Sequence, residues 1–278
     1  MKTNDVTKST DSFFGLTVYG LQLHFKGGSQ VSGFAGAAWR GLMGGVLQNA
    51  VCSFPSPVCA TCPSLSTCVY PNLFKPTVEA MLPPFWLHGW HRVPKGWIVG
   101  IRWIGHNRDF AIGEWLNALA HSSNGFSIGG QSVQLDHAVS ASAGQLAWCQ
   151  KVGWRTRPEP LPLSRPYPAA QACHVRCLTP LVSKHAGNPL FGALHTRVQR
   201  LVLQHGDGSA LPRPAQPWRC QEVTQQCQRL ALSKRILTGS LWQLELIGID
   251  VDAWALLCAG LELHAGGQTS MGCGQYEI

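Results

Sequence analysis

Charge is scarce in this chain. Only 13% of its 278 residues are Asp, Glu, Lys or Arg, which excludes a disordered polyelectrolyte tail. No apolar run approaches 18 residues, so no transmembrane helix is expected. The opening MKTNDVTKSTDS has no apolar stretch and does not read as a secretory signal. A cytoplasmic location follows as the expectation. Eleven cysteines without such a signal read as thiols or metal ligands rather than a disulfide framework. No histidine occurs between Phe25 and Trp86, and no lysine follows Lys234.

What charge there is lies unevenly. Residues 1–144 carry nine Lys/Arg against six Asp/Glu. Residues 145–235 carry thirteen against three, and residues 236–278 carry none against five. Arginine dominates the basic middle, and it pairs bidentately with phosphate and stacks on bases. A polyanion, nucleic acid first, is the expected partner. A solvated basic surface is the plain alternative.

Hydrophobic periodicity predicts strands over 14–26, 95–105 and 132–139, with room for a fourth strand in 80–94, and helices over 33–51 and 109–123. The first helix is unusual. Its polar side holds Gly33, Gly36, Gly41 and Gly44, with Arg40 as the helix's one charge. Each interior glycine costs roughly 1 kcal/mol relative to alanine, so backbone or ligand is expected to approach that face. Prolines at 158, 160, 162, 166 and 168 make 155–169 extended. The pattern then recurs: a strand at 172–182, a helix at 188–206, a strand or hairpin arm at 233–249, a helix at 250–264 and a last strand, QYEI. Helix, glycine loop and strand are expected at the end of both halves, as NGFSIGGQSVQL and HAGGQTSMGCGQYEI. Two βαββαβ units fit this order. The expected architecture is α+β, with two tandem ferredoxin-like domains. They comprise residues 1–150 with a cysteine-rich helical insertion at 52–80, a proline-rich linker at 151–170, and residues 171–278.

The loop HAGGQTSMGCGQYEI lacks the lysine of a P-loop, and it follows a helix instead of preceding one. It therefore does not place phosphate at a helix N-terminus. What it offers is exposed backbone at Gly266 and Gly267, with Gln268, Thr269 and Ser270 as neutral donors. This suits a sugar–phosphate backbone, or a tight structural turn.

AAWRGLMGGVL, the cysteine run VCSFPSPVCATCPSLSTCVYPNLFKP, LTPL, FGALHTRVQRL and the terminal glycine loop follow one another in an order that resembles the CRISPR precursor-RNA-processing endoribonucleases of the RAMP superfamily. The compact form is similar to the variant of type IV systems. The resemblance implies metal-independent cleavage of CRISPR repeat RNA beside a stem-loop. The upstream 2′-hydroxyl attacks its phosphate, leaving a 2′,3′-cyclic phosphate and a 5′-hydroxyl. It also implies a prokaryotic cytoplasmic protein that stays on its RNA among effector-complex subunits, with no membrane partner. A non-catalytic RNA-binding subunit of such a complex is the alternative.

That reaction needs a base, an acid and a cation. Many relatives carry a histidine at the first helix, which this sequence lacks. Arg40, Lys26 and His24 are the expected catalytic residues. Arg197 and Arg200 share a helix face, and with Lys234 and Arg235 they are the expected stem-loop contacts. His264 adjoins the glycine loop, and Trp86 and Trp90 are the candidates for base stacking. Cys52, Cys59, Cys62 and Cys68 have the donor chemistry of a structural zinc site or are free thiols; no cofactor is expected in catalysis.

Overall fold

The computed structural model describes residues 12–31, 34–54, 58–74, 81–121, 126–168, 172–183, 189–212, 219–231 and 236–278. The first sheet is built from β1 (Val18–Gly27), β2 (Phe85–Val93), β3 (Gly96–Ile104), β4 (Phe126–Ile128), β5 (Gln131–Ser140), β6 (Leu146–Cys149) and β7 (Gly153–Trp154). Its order is β2-β3-β1-β5-β6-β7, with β4 paired to β5. Helices α1 (Ala35–Val51), α2 (Val69–Phe74) and α3 (Asp109–His121) belong to this half. The second sheet holds β8 (Ala172–Cys177), β9 (Arg219–Ala231), β10 (Ile236–Ile247) and β11 (Tyr276–Glu277), in the order β11-β8-β10-β9. Its helices are α4 (Pro189–His205) and α5 (Val251–Leu263). Both sheets are antiparallel where paired. Both contain the four-strand order of a βαββαβ unit, so the fold is α+β with two ferredoxin-like sheets in tandem.

Alternation along β1 puts Leu21, Leu23 and Phe25 on the helix side and Gln22, His24 and Lys26 on the open side. Trp97, Val99, Ile101 and Trp103 of β3 face the same helix-side core as Trp39, Met43 and Leu47 of α1. Glycine is needed where α1 meets the glycine-rich loop: a Cβ on Gly36 would stand 2.0 Å from the Met271 carbonyl oxygen. Gly44 likewise admits the Phe74 ring, whereas Gly41 has nothing near it. The close approach expected of the glycine face is therefore made by protein at two of its turns.

Two local expectations change. The segment NGFSIGGQSVQL is not a twin of the terminal loop. Gly129 and Gly130, both at positive φ, form a hairpin turn between β4 and β5. The proline-rich stretch is not a free tether. Leu161 and Leu163 are buried in the second core, and the Leu161 N–H donates to the Val18 carbonyl at 2.8 Å. Among the described residues no helix is long and apolar enough to cross a membrane.

The two halves are joined by polar groups. Arg102 Nε on β3 donates to Glu262 Oε2 on α5 at 2.6 Å, and both side chains are largely buried. The Trp86 indole N–H donates to the Glu262 carbonyl at 2.9 Å. Truncating one partner of such a pair leaves the other charged and poorly solvated. Arg102→Ala should therefore destabilise by about 3 kcal/mol in urea denaturation. Arg102→Met with Glu262→Met should cost clearly less than the single change.

Candidate nucleic-acid interface

Helix α5 starts on Asp250, whose carboxylate accepts the Ala253 N–H at 2.7 Å. It ends at His264, a non-glycine residue at φ 63°. From there the chain folds into the glycine-rich loop. Most of the loop's backbone is spent on the protein. The Gly267 N–H donates to Val182 O at 2.8 Å, Gly274 N–H to Pro180 O at 3.0 Å and Gly272 N–H to Thr269 O at 2.7 Å. Thr179 Oγ1 donates to Gly272 O at 2.7 Å and accepts from the Gln275 N–H at 2.8 Å. The TPL segment after β8 thus clamps the loop. Among the described residues, the N–H groups of Gln268, Thr269 and Ser270 make no hydrogen bond within the chain. Gln268 is left-handed (φ 58°) and opens a 3₁₀ turn, Thr269–Met271. Successive unspent N–H groups next to a left-handed residue form an anion-binding concavity.

These three residues, with Gly266 and Gly267, line a cleft of about 440 Å³. Helix α4 contributes Thr196, Arg197 and Arg200, and among the described residues no carboxylate lines the cleft. Arg197 is 4% exposed. Its Nε donates to the Leu263 carbonyl at 2.7 Å and its guanidinium lies 5.5 Å from the Trp86 ring centroid. Its Nη2 is buried with no hydrogen-bond partner. Burial, and then the neighbouring Arg200, push its pKa down to about 9. A buried cation with an unspent donor and, among the described residues, no ion-pair partner is an expensive arrangement. An anion entering the cleft would relieve it.

The remaining expected residues divide. Lys234 and Arg235 lie outside the described residues. Trp86 is fully buried in the second core, with its N–H spent on Glu262, so it presents no stacking face. The cause is its position: it sits on a strand rather than in a loop, on the sheet side that α5 covers. Trp90, also on β2, packs edge-on against Phe34 and fills the space over Gly272. Arg40 does not stand free on α1. Its Nη2 donates to the Phe74 carbonyl at 2.7 Å, and its guanidinium lies 5.9 Å from the Phe74 ring centroid. The insertion that caps this face holds it.

His264 is fully buried rather than loop-exposed. Its Nδ1 donates to the Cys273 carbonyl at 3.2 Å, which leaves Nε2 to accept from His88 Nδ1 at 2.9 Å. Burial holds both rings well below the usual histidine range. His88 and the arginines Arg197 and Arg102 add to this for His264, and Arg102 for His88. Glu262 stands 3.9 Å from His88 but is committed to Arg102.

His24 and Lys26 do come together, on the open face of β1. The His24 ring stacks on His137 of β5 at 4.3 Å between centroids. Asp136 lies between His137 Nδ1 (3.1 Å) and Lys26 Nζ. Burial, then electrostatic interaction with the neighbouring His137 ring, lowers the His24 pKa. Sequence reading missed His137 and Asp136. The signal was the DH pair at 136–137 on a predicted strand, but the pairing depends on a bulge between His24 and Phe25.

A family model described as the AF_1859_N N-terminal domain matches residues 14–117. No curated protein matches. Among solved structures, a Thermus thermophilus Cas6 in a product complex is 18% identical over 94% of this chain and 98% of that one, with TM-score 0.53. A RAMP protein binding different RNA substrates is 13% identical over 93% and 98%, with TM-score 0.50. A chain of a partial Cas6-RT-Cas1–Cas2 complex is similar at 11% identity and TM-score 0.58, covering 94% of this chain and 46% of that one. The chain therefore has the tandem ferredoxin-like fold of Cas6 and RAMP proteins.

The neutral histidine pair makes stability pH-dependent. In the unfolded chain both rings titrate near 6.5. Their folded pKa values are lower, so below about pH 6.5 the unfolded state binds more protons. The stability is complete above that pH and declines as pH falls. Between pH 7 and 5.5 the pair should contribute a loss of about 2 kcal/mol. His88→Asn with His264→Asn should flatten that slope in denaturation curves.

Proposed function

We propose that this chain is a CRISPR-associated RAMP protein that binds the repeat RNA of its system and cleaves it beside a stem-loop. The observation that carries the reading is the cleft between α4 and the glycine-rich loop. Arg197, whose buried Nη2 has no hydrogen-bond partner, lines it with Arg200 and with Gln268, Thr269 and Ser270, whose N–H groups are unspent among the described residues. Backbone amides plus arginine recognise phosphate oxygens without reading base sequence. A hairpin RNA supplies such phosphates in a fixed geometry, and its single-stranded flank supplies the bond to be cut.

Cleavage by the adjacent 2′-hydroxyl needs no metal, only proton transfer and charge stabilisation. On this chain His24, neutral at physiological pH through its lowered pKa, is suited to take the 2′-hydroxyl proton. Lys26 supplies positive charge on the same face. Arg40, held by Phe74, acts on the fold of the first half. After cleavage the protein keeps its RNA product and joins effector subunits.

A non-catalytic RNA clamp is the second reading. It is favoured by the cleft itself, which among the described residues is lined by no histidine, tyrosine or lysine. Incubation with repeat RNA in EDTA separates the two: a product ending in a 2′,3′-cyclic phosphate supports the enzyme, and a shift without cleavage supports the clamp. Arg200→Ala should weaken binding about tenfold and reduce the salt dependence. His24→Ala should leave binding intact and slow cleavage by about 100-fold. Arg40→Ala should lower stability by about 1 kcal/mol with affinity unchanged.

A further inference from the structure

The cysteine run is the strong motif that the RNA reading leaves unused. Cys52, Cys59, Cys62 and Cys68 all line one cavity of about 250 Å³, beside Gln48 and Tyr70. All four are half-buried free thiols. They come from three pieces of backbone. Cys52 caps the C-terminal end of α1, its N–H donating to Gln48 O at 2.9 Å. Cys59 and Cys62 bracket a single 3₁₀ turn, which buries no residue. Cys68 directly precedes α2, its N–H donating to Ser64 O at 2.9 Å. A polar, proline-containing segment has little apolar surface to organise it, yet its four thiols all line one cavity.

Burial raises Cys173, Cys177 and Cys258 to about 11 and Cys273 to about 12, which keeps them protonated and poor ligands. Among the described residues no three Cys, His, Asp or Glu side chains already stand close enough to hold an ion. The four thiols line the cavity and must draw closer together to share one ion. Thiolates select zinc or an iron–sulfur cluster over hard cations, and four of them close a tetrahedral shell.

We propose that this cavity is a tetrathiolate metal centre, holding one zinc ion or an iron–sulfur cluster, that staples the end of α1 to the start of α2. Four metal–sulfur bonds form as four thiol protons leave to solvent. The closed shell leaves no position for substrate, so the centre is structural. Its mechanical consequence lies in α2, which sends Leu73 and Phe74 into the first core. Phe74 packs on Phe85 and Trp115 and holds Arg40.

The test is elemental analysis of the full chain purified without oxygen. The expected content is about one zinc per chain, or iron with an equal amount of acid-labile sulfide. Cys59→Ser with Cys62→Ser should lose the metal and lower the melting temperature by several degrees. Cys227→Ser, at an exposed thiol, should keep it. Should the double variant fail to fold, metal-stripped wild type is titrated with Co²⁺, expecting thiolate charge-transfer absorption at one equivalent. The proposal is overturned if the anaerobic protein holds neither metal and takes up neither Co²⁺ nor iron with sulfide.

Discussion

The C-terminal end of α5 is seated on the open face of the first sheet, and much of the rest depends on it. Within three residues, Glu262 meets Arg102 and the Trp86 indole, Leu263 meets Arg197, and His264 meets His88. This knot is almost wholly polar, yet it is buried. Each group in it has been taken from water, so each must be held by the others. It fixes where the helix stops, and the glycine-rich loop begins at that point. The loop's position relative to both halves is therefore set by pairings on β2 and β3, far away in the chain.

The loop's composition then becomes intelligible. Its glycines let backbone meet backbone: a Cβ at Gly274 would stand 1.8 Å from the Ala265 carbonyl oxygen, and Gly36 on α1 admits Met271. Glycine here is a packing requirement first. The functional consequence is at Gln268–Ser270, where the packed loop leaves three N–H groups unspent among the described residues, beside the cleft. The loop itself carries no cation, and the charge arrives from α4. Arg197 serves both worlds, since its Nε holds the end of α5 while its Nη2 is left for something else.

The periodicities at β1, β3, α1, α3 and α5 made the tandem architecture legible, because apolar spacing there follows burial closely. The cleft was half legible. Arg197 and Arg200 stand three residues apart on one helix face, and the loop was recognisable from its glycines. Which residues would be swallowed by the junction between halves was not legible. Trp86 and His264 look like exposed polar-loop residues in sequence, and only the docking of α5 on β2 buries them. Arg40 misled for a similar reason: its partner is a carbonyl 34 residues on, at the end of a helix within the cysteine-rich insertion. His137 became visible only through strand register, which a bulge shifts. Long-range pairing, rather than local propensity, decided each of these.

The central claim is that the N–H groups of Gln268, Thr269 and Ser270 receive an RNA phosphate opposite Arg197 and Arg200. Amide hydrogen exchange on the full chain, with and without a hairpin RNA of the repeat, reads this directly. Slowed exchange concentrated at residues 268–270, abolished by 1 M salt, is the predicted result. Unchanged exchange at these three amides under conditions where the RNA is fully bound would contradict the account.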